Sequence, residues 1–273
     1  MKNLLHNIYF LMMLVITMAG IQSCSDDFQD VGDVQVSFTA TLPADTRTRS
    51  FGKAEQVNTL VVGVFNAQKM EIDRKEFAIN GTTIDVNLAL ALNQTYCFVF
   101  WAYDSNNNLY DLNDLTAIKM NTLPNHITFS EAEAMDAFFA CKENIKITES
   151  SNYSIELVRP LAQINVGTTS TPIHTTFKAK SVPDIFHPFS NTVSGEADFA
   201  WNFSEITTKT FSVNNKQFNY LAVGYLFAPT TATRIATELT ITDANNSKTI
   251  KLPKVEIEAN QRSNIAGNFI VTE

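Results

Sequence analysis

Charge is scarce in this chain of 273 residues. Only 18% of positions are Asp, Glu, Lys or Arg, against roughly 25% in an average globular domain. Within that set the acidic residues lead, 28 to 20, for a formal net charge of −8. No cluster of Lys or Arg occurs, so a nucleic-acid partner, which needs a basic stripe, is excluded. Glycine and proline are also few, at 9 and 8, which excludes a collagenous or low-complexity chain. Three cysteines make no disulfide framework. Enzyme signatures are missing: there is no GxSxG, no Walker loop, no HExxH and no GxGxxG. No catalytic residue, metal or cofactor is expected. What the chain does have is 45% hydrophobic residues, 11% aromatics with 20 Phe among them, and a surface vocabulary of Asn, Thr and Ser. Such residues suit the pleat of a β-sheet, and the length accommodates two domains of about 100–150 residues.

The first 24 residues point to a compartment. Lys2 precedes an apolar run, Ile8–Ile21, broken only by Thr17. That run is 14 residues long, short of the ~20 a membrane-spanning helix needs, and reads as a secretory signal. Ile21-Gln22-Ser23-Cys24 resembles the bacterial lipobox. The resemblance implies cleavage after Ser23 and lipid on Cys24, with several acyl chains holding the protein where one would not. Ser25-Asp26-Asp27 resembles the acidic export signal that sends lipoproteins to the outer face of the outer membrane. The expectation is a signal peptide over 1–23, a lipidated tether over 24–33 and a surface-exposed body anchored in the outer membrane. Cys97 and Cys141 both sit in apolar context, and two free thiols or one bridge fit equally well.

Beyond the tether the texture is β. From Val34 to Leu42 apolar and polar residues alternate strictly: Val34, Val36, Phe38, Ala40 and Leu42 share one face, as in a half-buried strand. Pro43 ends it, and a polar loop with Arg47 and Arg49 follows. Leu60–Phe65 and Gln94–Tyr103 read as buried strands. Phe77–Ile79, Asn80-Gly81 and Ile84–Leu90 read as a hairpin with an NG turn. Ser130-Glu131-Ala132-Glu133 predicts a capping box, with Ser130 at the N-cap of one short helix running on through Ala134–Phe139. Ser150-Ser151-Asn152 reads as a junction, and Tyr153–Val166 as an extended segment interrupted at Pro160. Further strands are expected at Phe211–Val213, Phe218–Ala228, Ile235–Thr242, Lys248–Leu252, Val255–Ile257 and Asn268–Thr272, with a turn at Asn214-Asn215. Many short strands at this spacing favour β-sandwiches. The division expected is 34–152 for an N-terminal sandwich and 153–273 for a C-terminal one.

Residues able to carry chemistry read mostly as structure. His126, His174 and His187 are scattered. Asp104-Ser-Asn106-Asn-Asn108 has the start of a calcium loop, but Leu109 stands where glycine is required and Leu115 where glutamate is. Glu131, Glu133 and Asp136 fall in the expected helix, where early negative charge favours the dipole. Trp101, Tyr103, Tyr110 and Trp201 are candidates for a sugar-stacking platform, with core packing the competing reading. Arg47 and Arg49 form either a solvated basic loop or a protease-cleavable one behind an edge-like strand.

The ordered set of lipobox, acidic tether, alternating strand, Arg-bearing loop, VVGVF, FVFWAYD, DAFFA, RPLAQINV and RSNIAGNF resembles the fimbrillin-like lipoproteins of Bacteroidales. These include the FimA- and Mfa-type pilins of type V pili and related gut Bacteroides domains. The resemblance implies an all-β chain of two tandem transthyretin-like (Greek-key) sandwiches with at most one or two short helices. It also implies assembly by donor-strand exchange: a protease cuts at Arg47 or Arg49, the strand bearing Val34, Val36, Phe38, Ala40 and Leu42 leaves, and a strand of another pilin subunit replaces it. Stalk pilins of the family carry a C-terminal donor extension, whereas this chain stops at Glu273 directly after Asn268–Val271. That implies an acceptor: a tip, anchor or accessory subunit with an adhesive role. The alternative is a non-polymerising surface lipoprotein that binds a glycan or host-surface ligand.

Overall fold

Alternation builds the first strand, β1 (Asp33–Thr41), in which Val36, Phe38 and Ala40 point into the core while Gln35 and Thr41 face solvent. The structure, a computed structural model, describes residues 32–43, 54–171, 173–242 and 247–269. Continuous apolar runs form β2 (Thr59–Asn66) and β5 (Thr95–Tyr103), buried on both faces along nearly their whole length. With β3 (Glu71–Ala78) and β8 (Phe138–Lys146) they make an antiparallel sheet of order β3-β2-β5-β8. Facing it is a three-stranded sheet, β4 (Thr83–Ala91), β1 and β9 (Ser151–Glu156), with β1 in the middle and β9 parallel to it. Val36, Phe38, Leu60, Val62, Val86, Leu88, Phe98 and Phe100 fill the space between.

The second sandwich pairs β15 (Thr210–Val213), β16 (Lys216–Phe227), β10 (Leu161–Thr168) and β19 (Arg262–Gly267), in that order. Against it lie β14 (Ala197–Asn202), β11 (His174–Val182), β17 (Thr233–Thr242) and β18 (Ser247–Ile257). Gly224 on β16 leaves room for Trp201, whose ring lies 3.0 Å from where a Cβ would stand. Asn214 and Asn215 both have positive φ, 49° and 63°, and close the β15–β16 hairpin as the type I′ turn favoured by right-twisted strands.

The two halves share a core. A small sheet of β13 (Thr192–Ser194), β12 (Ile185–His187), β7 (Ile118–Met120) and β6 (Tyr110–Asp111) is drawn from both. Val61, Phe65, Val99 and Trp101, on the outer face of β2 and β5, join the same apolar cluster as Phe177, Trp201, Tyr225 and Phe227 of the second half. The β3-β2-β5-β8 sheet is thus covered on both sides. This explains why β2 and β5 lack alternation: neither face meets water.

The all-β expectation is met, and the single α-helix among the described residues is α1 (Phe129–Glu133). Its cap differs from the one expected. Thr128 is the N-cap and Glu131 the N3 residue, with Glu131 N–H donating to Thr128 Oγ1 at 3.1 Å and Thr128 N–H to Glu131 Oε2 at 2.7 Å. The sequence holds two overlapping matches to the box. The start is at Thr128, and Phe129, the first helical residue, is buried in a stack on Phe203 with centroids 4.4 Å apart. The helix ends at Glu133, and Phe138–Phe139 belong to β8.

Asn80-Gly81 is no hairpin turn. β3 and β4 lie in different sheets, and the dipeptide carries the chain from one to the other. Near the division expected at Asn152, within ten residues either way, β9 pairs with β1 as far as Glu156. The chain crosses between sandwiches at residues 157–160. Lys248–Leu252 and Val255–Ile257 join in one strand, β18. A strand not expected, β19, runs parallel to β10; of the strand expected at Asn268–Thr272, residues 270–272 lie outside the described residues.

Candidate functional site

The strand that the Bacteroidales resemblance implies to be exchangeable is β1, which lies between two others. β1 is hydrogen-bonded on both sides, to β4 and to β9, so it is a central strand and not the edge-like one expected. Its pairing with β9 runs from Val36 opposite Ser151 to Thr41 opposite Glu156. The run is extended by Leu157 N–H donating to Thr41 O and Leu42 N–H donating to Thr82 O. Val36, Phe38, Ala40 and Leu42 are buried, and Val34 is half-buried at the entrance. Phe38 sits among three rings: Phe98 at 4.8 Å, Phe100 at 5.3 Å and Tyr153 stacked at 5.3 Å. On the outward face Ser37 Oγ donates to Asn87 Oδ1 at 2.7 Å and Thr39 Oγ1 to Asp85 Oδ1 at 3.3 Å. The end of the strand opens onto a surface hollow of about 490 Å³ lined by Thr41, Leu42, Pro43, Ser154, Ile155 and Glu156.

Energetically, β1 is held by two backbone ladders and by burial of Val36, Phe38 and Leu42, each of which represents ~2 kcal/mol. Without it, β4 and β9 would each present an unpaired edge above an apolar floor. An edge of that kind captures an extended segment by β-augmentation. Cys24, Arg47 and Arg49 lie outside the described residues.

The aromatic platform does not form. Trp101, Tyr110 and Trp201 are buried. Trp101 packs edge-on to Tyr110 at 5.2 Å, and Trp201 lies against Phe177 at 5.4 Å with its Nε1–H directed at Met135 Sδ. Their faces are spent on one another, and a sugar ring has no access to them. Only Tyr103, of the four, is partly exposed.

A second feature escaped the sequence reading. Asp136 leaves the helix it was expected to occupy and is buried in a two-pronged ion pair with Arg159, Oδ1 to Nε at 2.6 Å and Oδ2 to Nη2 at 2.7 Å. Burial pushes its carboxyl above the usual carboxylate range, and the Arg159 guanidinium works against that push. Arg159 lies in the crossing between sandwiches, its plane 4.9 Å from the Phe138 ring. Tyr225 Oη donates to Glu133 Oε1 at 3.0 Å and Tyr110 Oη to the Met135 carbonyl; burial holds both phenols well above their ordinary range. Asp136 and Glu133 also edge a polar cleft of about 500 Å³ with Glu55, Gln56, Glu205 and Lys209. Removing one partner of so buried a pair leaves the other charge uncompensated, at a cost of ~3–5 kcal/mol.

Of the remaining candidates, His174 is exposed at the start of β11, and Asp104 and His187 are tied into the fold. Asp104 is buried and accepts from Asn58 Nδ2 at 2.7 Å and Asn107 Nδ2 at 2.7 Å, so its loop is organised by the protein's own amides. His187 contacts Ser194 Oγ at 2.7 Å and the Thr116 carbonyl at 3.3 Å, whereas His126 is beside Asn202. No group of His, Cys, Asp or Glu among the described residues is arranged to hold a metal ion. Cys97 and Cys141 are free thiols. No helix among the described residues is long and apolar enough to cross a membrane.

The profile of a family of unknown function, DUF6562, matches residues 28–273. The chain belongs to that family. No curated protein matches it in sequence. Among solved structures, this DUF6562 chain is similar to a fimbrial assembly protein from Parabacteroides distasonis, with 14% identity and a TM-score of 0.52. The alignment covers 88% of this chain and 93% of that one. It is also similar to the tip fimbrial protein Mfa3 from Porphyromonas gingivalis, in a C-terminally truncated form. There the identity is 12% and the TM-score 0.50, over 88% of this chain and 96% of that one. At such identities the likeness is one of fold, and it is the fold that the Bacteroidales resemblance implied.

Proposed function

We propose that this DUF6562 chain is a non-catalytic structural subunit of a cell-surface fimbrial assembly, of the tip, anchor or accessory kind. On this reading lipid on Cys24 tethers it to the outer membrane, and other subunits join it by donor-strand exchange in the β1 slot. The observation that carries the reading is the central position of β1 between β4 and β9. Loss of an edge strand frees one edge. Loss of β1 frees two facing edges and a greasy floor at once, which is the geometry an incoming strand can fill completely. The fold shared with fimbrial proteins supports the same reading. A glycan-binding lipoprotein working through its aromatics has less support, because Trp101, Tyr110 and Trp201 are buried.

The test is limited digestion of the full, folded chain by an arginine-specific protease, followed by intact mass. The expected result is one discrete cut after Arg47 or Arg49, with gain of binding to the terminal strand of a pilin subunit after the cut. A chain that resists the protease at both arginines, or that is cut and gains no strand binding, overturns the exchange reading. The tether is tested apart from it: Cys24→Ala is expected to leave the membrane fraction, and its retention there would refute the lipid.

A further inference from the structure

We propose that the β1 slot accepts strands of one side-chain pattern. The pattern is an aliphatic residue, an aromatic two places on, a small residue two places after that and an aliphatic residue two further, with hydroxyl side chains at the outward positions beside the aromatic. The occupant is an extended segment of another polypeptide running parallel to β9. This inference rests on the proposal that β1 is replaceable, and adds to it which strands can replace it.

The selecting groups all belong to elements that stay when β1 leaves. Phe98 and Phe100 come from β5 in the opposite sheet and Tyr153 from β9, so the three-sided box around the Phe38 ring does not depend on β1. An aliphatic residue there would leave much of the box empty. Ala40 is fully buried opposite Ile155, itself buried. A larger side chain at that place must displace the floor. Outward, Asn87 and Asp85 on β4 accept from Ser37 and Thr39. A strand with valine at either place leaves these groups to water. Direction is selected by the same features. A reversed strand of this pattern puts its small residue over the aromatic box and its aromatic over Ile155.

The ranking of positions follows from burial. The aromatic dominates, because truncating a buried Phe to Ala costs as much as a factor of about 100 or more in an equilibrium constant. Enlarging the small residue counts for about tenfold. Each exposed hydroxyl contributes about two- to fivefold.

The experiment uses the full chain with a site-specific protease sequence inserted between Ala44 and Ser50, cut so that β1 is held without a covalent link. Fluorescent peptides of the sequence 32–43 then compete for the slot, read by anisotropy and native mass. The parent peptide is expected to enter. Its Phe38→Ala form should bind about 100-fold more weakly, Ala40→Leu about tenfold, and Ser37→Ala about two- to fivefold. Asn87→Ala in the full chain should erase the Ser37 preference while leaving the Phe38 preference intact. If the parent and Phe38→Ala peptides enter equally well, selectivity is refuted and exchange survives. If no peptide enters the cut chain, exchange is refuted and selectivity with it.

Discussion

At Cys141 a half-exposed thiol is held out of reach of ionisation. Burial, aided by the neighbouring Glu143 carboxylate, pushes it up to about 12 from an ordinary 9.0. The thiolate is the reactive form, so a shift of about three units lowers reactivity at pH 8 by roughly a thousandfold. Iodoacetamide labelling of the folded chain, followed by peptide mass, should find Cys141 almost unmodified at pH 8. Its rate should climb about tenfold per pH unit through pH 10 with no plateau. A rate that rises only about twofold between pH 9 and pH 10 would mean that burial does not act on this sulfur. The same low-polarity surroundings govern the other buried polar residues. Gln163 and Asn165 on β10 are buried, yet each is satisfied: Gln163 donates to Asn165 at 3.0 Å, Asn165 to Asn264 at 2.8 Å, and Arg262 donates to Gln163 at 3.1 Å. This polar ladder ties β19 to the sheet beside the apolar packing of Ile265 and Ala266.

Elements were legible wherever one residue's neighbours in sequence are also its determinants in space. For α1 two starts compete, and the structure decides for Thr128. Thr128→Ala should therefore cost about 1 kcal/mol in urea unfolding, and Ser130→Ala under about 0.5 kcal/mol; the reverse order would restore the cap expected from sequence. β1 was readable as alternation, and β2, β5 and β16 as apolar runs. Of β3 only the end, Phe77–Ala78, was read, because the rest is an edge strand of Asp73, Arg74, Lys75 and Glu76, charges that guard an exposed edge while erasing the hydropathy signal. β19 was missed for the related reason that Arg262, Ser263 and Asn264 open it, leaving Ile265 and Ala266 alone to signal burial. The NG dipeptide misled because a tight turn within a sheet and a crossing between sheets use the same local chemistry. Of the candidate site, the apolar face of β1 was legible in full. Its central place was not, since that depends on parallel pairing with β9, more than a hundred residues along the chain.

For the whole molecule, the β3-β2-β5-β8 sheet decides how stability is shared. Successive residues of β2 and β5 alternate between two cores: Leu60, Val62, Phe98 and Phe100 face the slot, and Val61, Val99 and Trp101 face the second half. Neither core can dissolve without exposing one face of this sheet, and burial on that face is worth several kcal/mol. The crossing at residues 157–160 adds a brace, with Phe139 and Val158 exchanging backbone hydrogen bonds and Arg159 fixed on Asp136. The chain is therefore expected to unfold in one transition. Far-ultraviolet circular dichroism, which averages over both sandwiches, and tryptophan fluorescence, which reports Trp101 and Trp201 in the shared core, should give coincident urea curves. Two separated transitions would mean that the shared face contributes little. One transition has a consequence for the slot. A strand entering between β4 and β9 would stabilise the second half as well as the first, so filling the slot should raise the midpoint of the whole curve and leave its single step intact.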